Sequence, residues 1–129
     1  LEHICDPMET CRSAYRMLKK GGAVFFVCHD RRSFSTKLLG LKSPIFDIEH
    51  LQLFSMKSVR CLLERCGFVD IEIKAVCNRY PLYYWIKLFP MSISLKRTCI
   101  SILKKTGIGY LAISIPVGNM AVFGYKGRR

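Results

Sequence analysis

An unbroken apolar segment of strand length constrains the fold most strongly. Ala23–Cys28 contains no polar residue and directly follows the pair Gly21-Gly22. A strand of this kind is typical of a sheet that is covered on both faces, as in parallel α/β sheets. We therefore expect Ala23–Cys28 to be a central, buried strand.

Two helices are predicted around this strand. Asp6-Pro7-Met8-Glu9 has the pattern of a helix start, with Asp at the N-cap, Pro at the first position and a Glu that can reach back to the cap. Apolar residues then recur at helical spacing: Met8, Cys11, Tyr15 and Leu18. A second helix is expected to begin after Ser55 and to end at Gly67. Helices that alternate with strands indicate an α/β layered fold.

The rest of the chain gives weaker patterns. Val69–Cys77 alternates charged and apolar residues, which favours a half-exposed edge strand. We expect five further features: a loop over residues 30–54 with a short helix near 33–39, helices over 82–89 and 94–106 (the second capped by Ser94), a turn at 116–119, and a strand Met120–Tyr125 antiparallel to Ala23–Cys28.

Charge is distributed unevenly along a chain of one-domain length. The 129 residues include 21 Lys and Arg against nine Asp and Glu, a net charge of +12. No acidic residue follows Glu72, whereas ten basic residues do. Such an excess fits a solvated basic face, or attraction to nucleic acid, anionic lipid or an acidic substrate, and charge alone does not choose between them.

The cysteines and the apolar segments indicate a compartment. The seven cysteines form no CxxC pair, and Glu2, His3 and Asp6 interrupt any leader-like apolar stretch. We therefore expect reduced thiols and a cytoplasmic location. Residues 106–125 carry no charge and are long enough to span a membrane, but their glycines and Pro116 favour two short segments around a turn.

Five short motifs follow one another along the chain: Leu-Glu-His-Ile-Cys-Asp-Pro at 1–7, Leu-Lys-Lys-Gly-Gly-Ala at 18–23, Asp-Ile-Glu-His-Leu-Gln-Leu-Phe-Ser at 47–55, Cys-Gly-Phe at 66–68 and Pro-Val-Gly-Asn-Met at 116–120. In their order and spacing they resemble the second half of class I S-adenosylmethionine-dependent methyltransferases, and are most similar to the group that includes quinone-biosynthesis O-methyltransferases. The resemblance implies an α/β fold, namely the C-terminal half of a Rossmann-like doubly wound sheet with the last strand antiparallel. Residues 1–129 would be a partial domain, from the end of the fourth strand to the seventh, with a helical and aromatic insert at about 80–115.

The resemblance also implies S-adenosylmethionine as the cofactor. The family's Gly-rich loop and the acidic residue that holds the ribose would lie before Leu1. Gly107-Ile108-Gly109 follows a helix and lacks a third glycine, so it does not replace that loop. We therefore expect the chain to be a fragment that is inactive alone.

Candidate site residues follow from this placement. His3, His29 and His50 would lie at the carboxyl rim of the sheet, where ligands bind in open α/β sheets, and are candidate catalytic bases. Glu2 and His3 are candidate cofactor contacts. The alternative is that each histidine is a surface or structural residue.

Candidate substrate contacts are Glu49, which is adjacent to His50, and the aromatic residues Tyr80, Tyr84 and Trp85. Core packing is the alternative for the aromatic patch. No metal is expected, because the Cys/His set His3, Cys5, Cys28 and His29 matches no standard zinc spacing.

Two functions remain open from the sequence. The first is transfer of a methyl group to an oxygen atom of a small-molecule acceptor. The alternative is a non-catalytic basic module that binds a membrane surface or nucleic acid. The expected partners are the small-molecule substrate, a peripheral membrane contact and a second copy of the chain through an unpaired sheet edge, whereas nucleic acid is disfavoured because no RNA-binding motif is present.

Overall fold

The computed structural model describes residues 1–43, 45–46 and 48–128, and it divides into two compact units. The first unit comprises Leu1–Val76 and Val117–Arg129, and the second comprises Cys77–Pro116. Each unit contains part of two long strands.

The described part of the first unit contains three helices, at positions close to those predicted. Helix α1 spans Pro7–Met17, α2 spans Phe34–Leu39 and is followed by a 3₁₀ turn, and α3 spans Met56–Arg65. The Asp6 carboxylate caps α1 by accepting a hydrogen bond from the backbone N–H of Glu9. The Glu9 side chain does not reach back to the cap as expected, because it pairs with Arg16 at 2.6 Å.

A basic side chain from the other end of the chain stabilises the C-terminal end of α1. Lys126 Nζ donates hydrogen bonds of 2.9 Å to the carbonyl oxygens of Tyr15 and Leu18. It also lies 4.7 Å from the centre of the Tyr15 ring. A cation at this position satisfies carbonyls that lack helical partners and opposes the negative end of the helix dipole.

Among the described residues, three strands form one sheet in the order β1-β3-β2, where β1 is Ala23–His29, β2 is Phe68–Pro81 and β3 is Ala112–Lys126. Strands β1 and β3 are antiparallel, with Ala23 opposite Tyr125 and His29 opposite Asn119. The predicted antiparallel pairing is therefore confirmed, and β2 lies at an edge of the sheet as expected.

The prediction that Ala23–Cys28 is central and buried is wrong. In the described part of the chain β1 is the other edge strand, and its side chains alternate between the core and solvent. Phe25 and Val27 are 59% and 50% exposed. The apolar sequence correctly predicts a strand, but no described element covers its outer face.

The core lies between the sheet, α1 and α3. Val59 and Leu63 of α3, with Met120 and Val122 of β3, have no exposed surface. The predicted stripe of α1 packs against this cluster through Cys11, which is buried, and through neighbouring side chains that are partly buried. The helix faces that the sequence predicted as buried are therefore confirmed.

Two local predictions are corrected. The expected turn at 116–119 is absent, since β3 runs continuously through Pro116. The pairing of β3 with β1 extends only as far as Asn119, so β3 has no β1 partner at Pro116. Proline is tolerated at such a position. The expected helix over 94–106 begins earlier, at Ile93 after Ser92 rather than Ser94.

The second unit contains two helices, α4 at Leu82–Leu88 and α5 at Ile93–Lys105, and a 3₁₀ turn at Ile108–Tyr110. Among the described residues no helix has the length and apolar character needed to cross a bilayer. The uncharged segment 106–125 lies mainly in β3.

Candidate active site

A buried carboxylate lies at the C-terminal end of β1. Glu2 is 5% exposed, and its Oε1 accepts a 2.7 Å hydrogen bond from the backbone N–H of His29. Its Oε2 lies 2.9 Å from Nδ1 of the same histidine. Glu2 therefore fixes both the main chain and the ring of His29, the last residue of β1.

These contacts favour one tautomer of the neutral His29 ring. An ionised carboxylate only accepts hydrogen bonds, so His29 Nδ1 is the donor, and Nε2 of the neutral ring keeps its lone pair. The His29 side chain is 35% exposed, whereas the Glu2 side chain is 7% exposed. The pair therefore presents an oriented imidazole with an accessible ring.

His50 lies near the same carboxylate oxygen as His29. Its Nε2 is 4.0 Å from Glu2 Oε2, and its ring centre is 5.4 Å from that of His29. The His50 side chain is 13% exposed, and its Nδ1 is buried without a hydrogen-bond partner in the described part of the protein. His50 is thus close to the pair but less accessible than His29.

His3 completes the cluster on its exposed side. Its ring centre lies 4.9 Å from that of His50, and its Nδ1 donates a 2.8 Å hydrogen bond to the Glu49 carbonyl oxygen. A backbone hydrogen bond of 3.1 Å from Gln52 N to Glu2 O holds the loop before α3 against the N-terminal residues. The structure therefore brings the three predicted histidines together around Glu2, while their catalytic roles remain predictions.

A tight backbone approach positions the end of β1. Asp30 N donates a 2.6 Å hydrogen bond to the carbonyl oxygen of Gly118, whose φ is +96°. A Cβ atom at Gly118 would lie 2.4 Å from Ser33 Oγ, the N-cap of α2. Only glycine fits at position 118, which contacts the residue that follows His29.

The cysteine before His29 belongs to the core and not to the chemistry. Cys28 is 2% exposed, and burial raises the pKa of its thiol to about 12, with a further contribution from the Glu2 charge. Burial likewise raises the pKa of Cys11 to about 11. Both thiols are therefore protonated at neutral pH and are poor nucleophiles.

The grouping of possible metal ligands differs from the set considered in the sequence. Ligand atoms of Glu2, His29 and His50 lie within 4.8 Å of one another, an arrangement that could hold a metal ion. Neither Cys5 nor Cys28 belongs to this group. The hydrogen bond between Glu2 and His29 accounts for their contact without a metal, and the expected absence of a metal stays a prediction.

The predicted substrate residues fall into two groups. Glu49 is exposed and accepts from His3 through its main chain. Tyr80, Tyr84 and Trp85 belong to the second unit, where the ring of Tyr80 lies 4.7 Å from that of Tyr84 and 5.3 Å from that of Trp85. The aromatic residues thus form a cluster of their own, and their role in substrate binding remains a prediction. Asp47, which opens the 47–55 motif, lies outside the described residues.

The pairing of Glu2 with His29 was not foreseen from the sequence, which suggested Glu2 as a cofactor contact. The two residues are 27 positions apart. Two signals are consistent with the pairing: Glu2 precedes a helix start and His29 ends an apolar strand. Neither signal specifies the contact.

Comparison with known proteins identifies the family. The model described as "Methyltransferase domain" matches residues 1–73, more than half of the chain. The chain belongs to the methyltransferase-domain family. Comparison with curated proteins gives no significant match.

Solved methyltransferase structures share the fold. An S-adenosylmethionine-dependent methyltransferase from Thermotoga maritima, described as a possible histamine N-methyltransferase, is 18% identical with a TM-score of 0.54, over 95% of this chain and 50% of that one. One from Archaeoglobus fulgidus is 17% identical with a TM-score of 0.55, over 97% and 55%. A Haemonchus contortus phosphoethanolamine N-methyltransferase, solved with S-adenosylhomocysteine, is 17% identical with a TM-score of 0.52, over 98% and 31%.

These matches confirm the predicted fold class, an α/β fold of the Rossmann-like methyltransferase type. The chain spans about half the length of the first two structures and less of the third.

Proposed function

We propose that this methyltransferase-domain chain supplies the acceptor side of an S-adenosylmethionine-dependent enzyme that methylates an oxygen atom of a small molecule, with His29 as the general base. Family membership supports methyl transfer. The observation that carries the proposal is the buried Glu2 carboxylate, 2.9 Å from His29 Nδ1.

When bound, S-adenosylmethionine supplies a methyl group on a sulfonium centre. In residues 1–43, 45–46 and 48–128 no Gly-rich turn links a strand to a following helix. These residues do not fit the role of the main cofactor loop. His3, exposed beside the cluster, remains the predicted cofactor contact on this chain, whereas both oxygens of Glu2 already bind His29.

A hydroxyl acceptor must lose its proton during methylation, and the Glu2–His29 pair can receive it. His29 Nε2 holds the available lone pair, and the carboxylate stabilises the positive charge that the ring gains with the proton. A positioned base of this kind contributes about 10²–10⁴ to a rate. The contacts therefore favour His29 over His50 as the base, with His50 in a positioning role.

An oxygen acceptor is favoured over a nitrogen acceptor for the same reason. A neutral amine already offers a lone pair, whereas a phenol or alcohol becomes a good nucleophile only on deprotonation. A buried carboxylate that orients a histidine is useful mainly in the second case. Two structures with the same fold are described as a possible histamine N-methyltransferase and a phosphoethanolamine N-methyltransferase. The test therefore compares oxygen and nitrogen acceptors.

The test uses a protein that contains this chain within a complete methyltransferase domain. Transfer of a labelled methyl group to a simple catechol, a simple phenol and a primary amine is measured for the unchanged protein, for His29→Gln and for the exposed control Cys61→Ser. We expect methylation of an oxygen probe, a loss of about 10²–10⁴ in kcat for His29→Gln with cofactor affinity retained, and no change for the control. Methylation of the amine alone, or a His29→Gln kcat equal to that of the control, would contradict the proposal.

A further inference from the structure

The second unit, Cys77–Pro116, combines an unusual charge with an unusual lack of burial. It contains six basic residues and no Asp or Glu. Gly109 is the only residue in this unit that is classed as buried. A unit with many apolar side chains normally buries part of its hydrophobic surface. The apolar surface that this unit leaves exposed therefore indicates a binding partner.

The exposed apolar side chains cover both helices and the segment after α5. On α5, Leu95 and Ile102 are 54% and 56% exposed, and their spacing of seven residues places them on one face of the helix. The other large exposed apolar residues of this unit are Tyr80, Leu88, Phe89, Ile93, Ile108, Tyr110 and Leu111.

Basic side chains lie on the same two helices as many of these apolar residues. Arg97 and Lys105 of α5 are exposed. Lys104 Nζ lies 4.7 Å from the Tyr83 ring centre, and Lys87 Nζ lies 5.9 Å from that of Tyr84. Basic residues beside aromatic and aliphatic ones are typical of protein surfaces that enter the headgroup region of a membrane.

We propose that the second unit docks on an anionic lipid bilayer. The argument for this occupant is charge complementarity: six cations without one acidic residue match a surface of anionic headgroups, and the exposed apolar side chains match the acyl boundary beneath them. The contact is peripheral, since no described helix is suited to span the bilayer. The proposal does not depend on methyl transfer and can succeed or fail separately from it.

The first test is co-sedimentation of the 129-residue chain with vesicles of phosphatidylcholine alone and of phosphatidylcholine with about one third phosphatidylglycerol, at low and high salt. We expect binding to the anionic vesicles that weakens with salt and little binding to the neutral ones, because each basic residue at the surface favours binding about fivefold. Absence of binding to anionic vesicles at low salt would overturn the proposal.

Paired variants identify the surface. We expect Arg97→Gln with Lys105→Gln to weaken binding about thirtyfold, whereas the matched pair Lys19→Gln with Lys20→Gln in the first unit changes it little. Equal losses for the two pairs would show that net charge, and not this surface, determines binding.

Apolar variants test insertion. We expect Leu95→Gln with Ile102→Gln to weaken binding about tenfold or more, whereas the more exposed pair Leu38→Gln with Leu41→Gln in the first unit changes it little. All four side chains are exposed, so folding should be retained, and circular dichroism checks it. An unchanged affinity of the Leu95 and Ile102 variant would contradict insertion.

The single tryptophan provides an independent readout. Trp85 lies in α4 of the second unit. Its fluorescence should be quenched by brominated lipid in anionic vesicles. Sedimentation without quenching would place the contact elsewhere, and tighter binding to a single-stranded oligonucleotide at the same salt would identify a nucleic-acid surface instead; either result overturns the proposal.

Discussion

Replacing Glu2 by glutamine should reverse the tautomer of His29 while leaving the fold intact. In the unchanged protein the carboxylate accepts from both the backbone N–H and the ring Nδ1 of His29, at 2.7 and 2.9 Å. The amide of Glu2→Gln can still accept from the backbone N–H through its oxygen. Its NH₂ group then faces Nδ1, which must become an acceptor, so the ring proton moves to Nε2.

The size of the effect follows from the bonds that change. Glu2→Gln exchanges two charge-assisted hydrogen bonds for neutral ones, so we expect a loss of about 1–2 kcal/mol in the free energy of unfolding. Glu2→Ala also leaves the His29 N–H without its acceptor at a buried position, and should cost about 2–4 kcal/mol. In a complete domain Glu2→Gln should reduce kcat about as strongly as loss of the base, because Nε2 no longer accepts a proton.

The assay is ¹H–¹⁵N correlation NMR of the imidazole nitrogens, together with urea denaturation of the same proteins. We expect the Nδ1–H form of neutral His29 in the unchanged chain and the Nε2–H form in Glu2→Gln. An Nε2–H ring in the unchanged chain, or identical spectra of the two proteins, would refute the assignment of His29 as a base oriented by Glu2.

Three further predictions concern the first unit. Leu63→Ala should lower the free energy of unfolding by about 2–5 kcal/mol in urea denaturation, whereas exposed Leu38→Ala should change it by less than about 0.5 kcal/mol. Lys126→Met should cost about 1–3 kcal/mol because two carbonyls at the end of α1 lose a charged donor, and a thermal melt that is unchanged would disprove this capping role. Iodoacetamide at pH 8 should label exposed Cys61 and spare buried Cys28. The free energy of unfolding should fall as the pH rises from about 9 to 12, because the Cys28 thiol loses its proton at a lower pH in the unfolded chain than in the folded one. A urea midpoint that does not change over that pH range would count against the raised pKa of Cys28.

Local signals were sufficient to predict the helices of the first unit. The Asp6 and Ser55 caps and the glycine after α3 define helix ends through backbone hydrogen bonds that depend only on neighbouring residues. Apolar spacing likewise identified the buried face of α3, which packs through Val59 and Leu63. Information of this kind is contained in a few consecutive residues.

Contacts between distant residues could not be predicted in the same way. The apolar sequence of β1 specifies a strand but not which of its faces is covered. Phe25 lies on the uncovered face and is exposed. The prediction of a turn at Pro116 was wrong because proline is tolerated where one side of a strand lacks a partner. Whether that side has a partner depends on the register of β3 with β1, which the local sequence does not specify. The contacts of Glu2 with His29 and of Lys126 with α1 join residues far apart in sequence, and no local pattern specifies them.

Isothermal titration with S-adenosylmethionine tests most directly the claim that this chain is the acceptor side of a methyltransferase domain that needs a separate cofactor loop. Without the backbone donors of a Gly-rich turn and a ribose carboxylate, at least two hydrogen bonds are lost, which weakens binding about a hundredfold or more. We therefore expect the 129-residue chain to show no saturable binding at micromolar cofactor, whereas a protein that contains the complete domain binds it. A micromolar dissociation constant for the chain alone would contradict the account.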